Sequence, residues 1–293
     1  MKLEGIITPI VTPFDEEQEI NYPATAQLID HLIAHGVSGL FILGSNGEFH
    51  VLTEEEKVEF AKFVIETVDH RVPVYVGTGG CSTKMIIALS KKMEELGADA
   101  LSVITPYFIA PSDAELIHHY KMIAESVNLP IILYNIPKST GINLSKEVVA
   151  ELANVKNIIA IKDSSGNVDN LNNYLDIAKA HDDFDVLIGS DSKILYALRN
   201  GAVGAVAGTS NLLADIDVAI YENFKKGDIE KAQYYQQEIE PLRDVLKLGT
   251  VPSVLKKAIH LTGIPVGDAR YPVGPLSDEA VEKVKEMLAY YHM

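Results

Sequence analysis

Eight short apolar runs alternate with amphipathic segments through the first 226 residues of the chain. A short continuous apolar run is typical of a strand buried on both faces, and apolar residues at helical spacing after each run predict a connecting helix. Eight strand–helix units of this kind predict an α/β fold, namely a (β/α)8 TIM barrel. The runs are GIITPIVTP (5–13), GLFILG (39–44), VPVYVG (72–77), ALSVIT (100–105), PIILYN (130–135), IIAIK (158–162), DVLIGS (185–190) and AVGAVAG (202–208).

A doubly wound sheet is the competing fold for alternating strands and helices. It usually contains fewer units and carries a glycine-rich loop after its first strand. Here the first run ends in TPIVTPF (8–14), which contains no glycine. The sequence therefore favours the barrel.

The remaining residues, 227–293, predict further helices near 228–247, 251–262 and 277–291. No linker-like or low-complexity segment separates them from the preceding units. We therefore expect two parts, a barrel over 1–226 and a C-terminal helical extension over 227–293 that packs on the barrel.

Helix starts are also visible in the sequence, because Thr53 with Glu56 and Ser112 with Glu115 match the capping-box pattern. In the helix after the second of these boxes, His118 and His119 are expected on a solvated face.

Composition limits the function classes that the chain can serve. It has 25 Lys and Arg against 41 Asp and Glu, and its formal net charge of -16 disfavours nucleic acid and anionic membranes as partners. No apolar run approaches the roughly 18 residues of a membrane-spanning helix, and no signal-peptide pattern is visible. A single cysteine, Cys81, leaves no intrachain disulfide to form. We expect a cytoplasmic protein without membrane or nucleic-acid partners.

Lys162 ends the sixth apolar run, and lysine is rarely buried without a reason. Desolvation disfavours the ammonium form and lowers the pKa of the amine. A neutral amine can attack a ketone to form a Schiff base. The alternative is a lysine that extends its head group to solvent from the strand end.

The carboxyl ends of barrel strands meet at one face, where barrel enzymes have their active sites. The second run ends there in GSNGE (44–48), a turn whose backbone N–H groups could hold a carboxylate and whose Ser45 hydroxyl could transfer a proton. A turn that only reverses the chain is the alternative. Asp163 should point away from Lys162, because neighbouring strand residues alternate, and we interpret it as structural.

Two other kinds of site receive less support at this face. The glycine-rich ends of runs seven and eight lie where many barrels bind phosphate, but apart from Arg199 no basic cluster lies near them. No pair of histidines or carboxylates has ligand spacing, so we expect no metal.

Six motifs occur in a characteristic order: TPIVTPF (8–14), GSNGEF (44–49), TPY (105–107), YNIPKSTG (134–141), IKDSSG (161–166) and GSD (189–191). Because of these motifs, the chain resembles the N-acetylneuraminate lyase and dihydrodipicolinate synthase superfamily of class I pyruvate-dependent aldolases. The resemblance covers essentially the full length of the chain. The resemblance implies that Lys162 is the Schiff-base lysine and that Tyr134 shuttles protons. It further implies that Ser45 and its neighbour Asn46 belong to a carboxylate-binding turn.

The same resemblance implies an enzyme that reversibly cleaves a 4-hydroxy-2-keto acid into pyruvate or a glyoxylate-type product plus an aldehyde. Gly189 and Val206 match pocket positions beside the pyruvate moiety. No cofactor is implied beyond the covalent Schiff base with Lys162, and family members are commonly homotetramers, so we expect a homotetramer here. A keto-acid-binding barrel without catalysis is the alternative from another class, and the Lys162–Tyr134 pair argues against it.

Departures from the family patterns bear on the substrate. The synthase of lysine biosynthesis typically has two threonines in the second-strand turn, where this chain has Ser45-Asn46. It has a tyrosine where this chain has Phe108, and an arginine in the strand-five loop where this chain has Lys138, Ser139 and Thr140. A lost bidentate carboxylate binder is not a conservative change.

We therefore rank the synthase, which condenses pyruvate with aspartate semialdehyde, as the alternative. The motifs are more similar to those of aldolases for 2-keto-3-deoxy sugar acids, such as 2-keto-3-deoxygluconate, or for 4-hydroxy-2-oxoglutarate. The expected substrate-binding residues are Tyr107 and the hydroxyl-bearing Ser139, Thr140 and Ser164. Hydroxyl groups of this kind suit a polyol tail better than a dianion.

Overall fold

Eight parallel strands close into a barrel and follow one another around it in sequence order. The computed structural model describes residues 3–293. The strands are β1 (Gly5–Pro9), β2 (Gly39–Ile42), β3 (Val74–Gly77), β4 (Ala100–Ile104), β5 (Ile131–Asn135), β6 (Ile158–Asp163), β7 (Asp185–Ile188) and β8 (Gly204–Val206). Pairing of β1 with both β2 and β8 closes the ring. The predicted (β/α)8 barrel is confirmed.

Helices connect successive strands and cover the outside of the barrel. They are α1 (Tyr22–Ala34), α2 (Glu54–Val68), α3 (Thr83–Glu95), α4 (Asp113–Ser126), α5 (Pro137–Thr140), α6 (Lys146–Leu152), α7 (Val168–Ala180), α8 (Ile194–Arg199) and α9 (Ser210–Lys225). Both predicted capping boxes are present, at Thr53 before α2 and at Ser112 before α4.

The C-terminal extension consists of α10 (Ile229–Glu238), α11 (Glu240–Val245), α12 (Ser253–Leu261) and α13 (Asp278–Tyr290). Helix α10 packs against α9, and α12 contacts both α9 and α13. The extension therefore lies on the last helix of the barrel, while the division at residue 226 stays a prediction. Within residues 3–293, none of the helices combines the length and apolarity that crossing a lipid bilayer requires.

Three sequence predictions differ from the structure. The strand predicted over 5–13 ends at Pro9, and the following residues form the loop to α1. The single helix predicted over 228–247 is divided into α10 and α11, and Pro241 lies in the first turn of α11, where its missing N–H is tolerated. His119 is buried rather than solvated, and its Nδ1 lies 2.8 Å from Thr83 Oγ1.

Alternation along β6 decides which side chains reach the barrel interior. Ala160 belongs to the cluster inside the barrel, whereas Ile161 packs in the outer layer between strands and helices. Residues two apart share a face of a strand, so Lys162 points inward like Ala160. Its position at the end of the strand places it above the apolar interior layer that contains Ile7 and Leu187.

Candidate active site

Lys162 and Tyr134 are neighbours because they are register partners on the adjacent strands β6 and β5. Lys162 Nζ lies 3.9 Å from the centroid of the Tyr134 ring and 4.6 Å from that of Phe41. The Phe41 and Tyr134 rings meet edge to face, with centroids 6.3 Å apart. The amine is therefore held between two aromatic rings at the mouth of the barrel.

Burial controls the protonation of Lys162, which is only 5% exposed. Desolvation lowers the pKa of its amine below the ordinary lysine value, and the nearby Tyr134 and Asp191 partly oppose this effect. A larger fraction of the amine is thus neutral at a given pH than for a solvated lysine. Since the neutral form is the nucleophile, the surroundings favour attack on a carbonyl.

The turn after β2, which we call the GSNGE turn (44–48), brings a hydroxyl group to the same place. Ser45 Oγ lies 3.4 Å from Tyr134 Oη, and either atom can be the donor. The amide of Asn46 packs against Gly208, since a Cβ added to Gly208 would meet Asn46 Nδ2 at 3.1 Å. Gly47 lies against the loop after β1, because its carbonyl accepts a hydrogen bond of 2.7 Å from Thr12 Oγ1 in that loop.

A cleft of about 710 Å³ opens over these groups at the carboxyl ends of the strands. All ten site residues expected from the sequence line it, namely Lys162, Tyr134, Ser45, Asn46, Tyr107, Ser139, Thr140, Ser164, Gly189 and Val206. Their assembly at one mouth follows from the barrel topology. Their individual roles stay predictions.

Two of these residues have features that limit what they can do. The Thr140 hydroxyl bonds to the backbone of its own loop, at the carbonyls of Ile136 and Ile142, and is thereby engaged before any ligand binds. Gly189 lies so close to the lysine that an added Cβ would sit 3.0 Å from Lys162 Cε and closer still to Ser164 Oγ. A larger residue at position 189 would therefore force the side chains of Ser164 and Lys162 to shift.

Asp191 also lines the cleft, although the sequence analysis assigned it no role. Its carboxylate accepts hydrogen bonds from the N–H groups of Gly208 at 3.0 Å and Thr209 at 3.3 Å. Burial raises the pKa of Asp191, and these N–H groups oppose the rise. The GSD motif was a visible signal for this residue, but an aspartate after a strand is common enough that the motif does not indicate a binding role.

The C-terminal extension forms one wall of the cleft, and sequence reasoning missed this wall. The wall consists of Leu246, Thr250, Val251, Pro252, Val254 and Leu255. Nothing in the local pattern of these residues distinguishes them from the surface of an ordinary amphipathic helix and its preceding loop. Their role depends on how the extension folds back over the barrel.

Asp163 points away from the cleft, as the strand alternation predicts. Its carboxylate accepts hydrogen bonds from Asn135 Nδ2 at 3.0 Å and from Ser165 Oγ at 2.8 Å. The residue therefore ties the ends of β5 and β6 together behind the lysine. Among residues 3–293, no three His, Cys, Asp or Glu side chains are grouped closely enough to hold a metal ion.

Comparison with known proteins defines the class of this protein as an enzyme, a carbon–carbon lyase of the aldolase type. The chain belongs to the dihydrodipicolinate synthetase family, whose model matches residues 2–290.

Relatives in this family have two kinds of name. The chain is 39% identical over 279 residues to 4-hydroxy-tetrahydrodipicolinate synthase 1 of Halalkalibacterium halodurans, covering 95% of this chain and 94% of that protein. It is also 39% identical over 288 residues to YagE of Escherichia coli, a putative 2-dehydro-3-deoxy-D-gluconate aldolase, with coverage of 97% and 95%.

Solved structures agree with this assignment. The crystal structure of YagE in complex with pyruvate superimposes with a TM-score of 0.95 at 37% identity and covers 100% of this chain and 99% of that one. Dihydrodipicolinate synthase DapA-2 of Bacillus anthracis superimposes with a TM-score of 0.94 at 35% identity, with coverage of 99% and 98%.

Proposed function

We propose that this protein is a Schiff-base aldolase that reversibly cleaves a 2-keto-3-deoxy sugar acid, such as 2-keto-3-deoxygluconate, into pyruvate and an aldehyde. The observation that carries the proposal is the desolvated Lys162 amine held 3.9 Å from the Tyr134 ring, beneath an open cleft. The shorter 4-hydroxy-2-oxoglutarate, which would give pyruvate and glyoxylate, fits the same chemistry.

Imine formation is the first step that the arrangement supports. The neutral Lys162 amine attacks the C2 carbonyl of the keto acid, and the new C–N bond gives a carbinolamine. Tyr134 Oη then protonates the departing hydroxyl group, which leaves as water. The GSNGE turn offers backbone N–H groups and the Ser45 hydroxyl to the substrate carboxylate, which holds C2 in reach of the amine.

Cleavage then uses the protonated imine as an electron acceptor. The tyrosinate that the first step leaves at Tyr134 accepts the proton of the C4 hydroxyl group, and the C3–C4 bonding pair moves into the iminium to form an enamine. The aldehyde leaves, C3 is protonated, and hydrolysis of the imine releases pyruvate. The 3.4 Å separation of Ser45 Oγ and Tyr134 Oη gives the tyrosine a hydroxyl partner for these proton transfers.

The chemistry of the outer cleft supports a hydroxylated substrate tail. Asp191 is an acceptor-only group when ionised, so it binds hydroxyl donors and repels a second carboxylate. Ser139 and Ser164 add hydroxyl groups to the lining. A neutral polyol tail satisfies these groups without placing two negative charges together.

Condensation of pyruvate with aspartate semialdehyde is the second candidate. The names of several relatives at 35–39% identity favour it, since they are called 4-hydroxy-tetrahydrodipicolinate synthase. Lys138 lines the cleft and supplies one cation for the semialdehyde carboxylate. It is exposed and flexible, however, and it lacks the two-pronged geometry of an arginine.

Borohydride trapping tests the Schiff base directly. The protein is incubated with pyruvate, reduced with sodium borohydride, and mapped by peptide mass spectrometry. We expect a reduced pyruvyl adduct on Lys162 that is absent from Lys162→Ala. Folded protein without an adduct would refute catalysis through Lys162 and favour a keto-acid-binding barrel without turnover.

Substrate choice requires a second assay with the same preparation. Pyruvate release from 2-keto-3-deoxygluconate and from 4-hydroxy-2-oxoglutarate is compared with pyruvate consumption in the presence of aspartate semialdehyde. We expect the largest kcat/KM for the sugar acid. A larger value with aspartate semialdehyde would instead identify the synthase reaction. The expected homotetramer is tested by sedimentation of this preparation.

A further inference from the structure

A cluster of buried charges lies behind the GSNGE turn, on the side away from the cleft. It comprises the buried Glu48 of the turn and Lys256 of α12, and the partly buried Arg270 after α12 and Glu56 of α2. The two cations lie against the ring of Phe14. These residues come from separate parts of the chain. The cluster has no part in the chemistry described above.

Its centre is an ion pair removed from solvent. Lys256 Nζ lies 3.0 Å from Glu48 Oε1, and the two side chains are 0% and 1% exposed. The other carboxylate oxygen, Oε2, accepts a hydrogen bond of 2.8 Å from the backbone N–H of Arg270. Both oxygens of Glu48 are therefore bound by donors from the C-terminal extension.

The two cations of the cluster also bind the loop after β1. Lys256 Nζ donates to the Thr12 carbonyl at 2.9 Å and lies 4.2 Å from the centroid of the Phe14 ring. Arg270 stacks on the same ring at 4.4 Å and donates to the carbonyl of Gln18 at 3.0 Å. The extension, the first loop and the GSNGE turn thus meet at one point.

The backbone of the turn requires such support. Leu43 and Glu48 flank residues 44–47, and both have a left-handed backbone conformation, with φ of 55° and 56°. Residues other than glycine, asparagine and aspartate rarely adopt this conformation, and it persists only where surrounding contacts determine it. For Glu48 those contacts are the ones made by its carboxylate.

The buried Glu48–Lys256 pair fixes the relative position of two elements more than it adds to the free energy of unfolding. Replacing a buried ion pair by apolar residues of similar volume is often neutral for stability, because desolvation of both charges offsets their attraction. A hydrogen-bonded pair nevertheless fixes the relative position of the elements that it joins. Here those elements are the turn that carries Ser45 and Asn46 and the helix whose Val254 and Leu255 line the cleft.

We propose that Glu48 is a positioning residue whose ion pair with Lys256 fixes the GSNGE turn relative to α12, so that the C-terminal extension sets the geometry of keto-acid carboxylate binding. The proposal rests on the proposed function for the identity of the ligand. Glu48 is not among the residues that line the cleft. It acts through Ser45 and Asn46, which precede it in the turn.

Glu48→Gln is the direct test, because it keeps the shape and removes one of the two acceptors. An amide offers an acceptor on one side only, so either Lys256 Nζ or the Arg270 N–H loses its partner. We expect the pyruvate concentration that gives half-maximal trapping on Lys162 to rise about 10- to 100-fold, the effect of losing one hydrogen bond to the charged carboxylate of pyruvate. The trapping rate at saturating pyruvate should change much less.

The double variant Glu48→Gln/Lys256→Met distinguishes the position of the GSNGE turn from the unpaired charge on Lys256 as the cause of weaker binding. It removes the unpaired buried cation, so its melting temperature should return towards that of the wild type. Pyruvate binding should stay weak, because the turn is still not joined to α12. Restoration of both melting temperature and pyruvate binding would overturn the proposal. If Glu48→Gln alone does not fold, this double variant carries the test.

Lys257→Met is the matched control, since Lys257 is the next residue of α12. It forms a different ion pair, at 2.9 Å with Asp268, outside the cleft. We expect pyruvate binding within twofold of the wild type. An equal loss of binding in this control would overturn the proposal, because any disturbance of α12 would then be sufficient.

If the wild-type protein forms no pyruvyl adduct, the proposed function is refuted, but the positioning role of Glu48 is not. A crystal structure of the double variant then tests that role. The separation of Ser45 Oγ and Tyr134 Oη, 3.4 Å in the wild type, then decides the positioning role. A displaced turn supports the proposal, and an unmoved turn overturns it.

Discussion

Replacing Gly189 by alanine should impair Schiff-base formation without unfolding the protein. The added Cβ would overlap Ser164 Oγ, which must rotate away, and it would lie 3.0 Å from Lys162 Cε, whereas carbon atoms in optimal contact are about 3.5–4.0 Å apart. The backbone cannot easily move away, because the Gly189 N–H donates a hydrogen bond of 2.7 Å to the Asp163 carbonyl. The lysine must therefore shift towards the Tyr134 ring, against which its amine already packs.

The magnitude follows from the cost of overpacking at a tightly packed site. One extra methyl group in such a place costs about 1–3 kcal/mol. If the strain falls on the reactive position of Lys162, the rate of imine formation drops about 5- to 150-fold, since 1.36 kcal/mol corresponds to a factor of ten. The assay is the rate at which the borohydride-trapped pyruvyl adduct appears in the intact mass.

Gly274→Ala provides the control for a glycine-to-alanine change as such. Within the described part of the chain, no heavy atom lies within 4 Å of a Cβ added at Gly274. We expect this variant to react like the wild type. A Gly189→Ala variant that forms the adduct at the wild-type rate would refute the reasoning, because Lys162 would then have room that the geometry denies it.

Three further predictions concern single side chains. Tyr134→Phe should lower the rate of aldol cleavage about 10²- to 10⁴-fold in a pyruvate-release assay, the usual contribution of a general acid–base group, while Tyr107→Phe should not. Asp191→Asn should move the pH profile of adduct formation to lower pH, because the Asp191 carboxylate raises the pKa of Lys162 and its removal lowers that pKa further. An unmoved profile would show that this charge does not act on the amine. Burial lowers the pKa of His119 from 6.5 to about 4. Between these two pH values the unfolded chain binds more protons than the folded protein, so the free energy of unfolding decreases as the pH falls from 6.5 towards 4. The loss is about 2 kcal/mol at pH 5, and urea unfolding of His119→Gln should lack this part of the pH dependence.

Most of the barrel was predictable because its signals are local. Strand and helix alternation depends on residues two to four positions apart, and both capping boxes lie within four residues. The meeting of Lys162 and Tyr134 at one mouth was also predictable, since parallel strands bring their carboxyl ends to one face, while their roles stay predictions. Two of the errors were local as well: the first strand was drawn too long, and Pro241 was not recognised as a helix start.

Tertiary structure alone decided the features that join distant segments. Lys256 occupies an amphipathic helix and has no local sign of burial, yet it pairs with a glutamate 208 positions away. His119 is buried because α3 packs beside α4, and the cleft has a C-terminal wall because the extension returns to α9. Periodicity specifies which face of an element is apolar, but not which element covers it. The sequence therefore determined the barrel and the position of Lys162 at the end of its sixth strand, while the packing of the extension decided which residues form the C-terminal wall of the cleft.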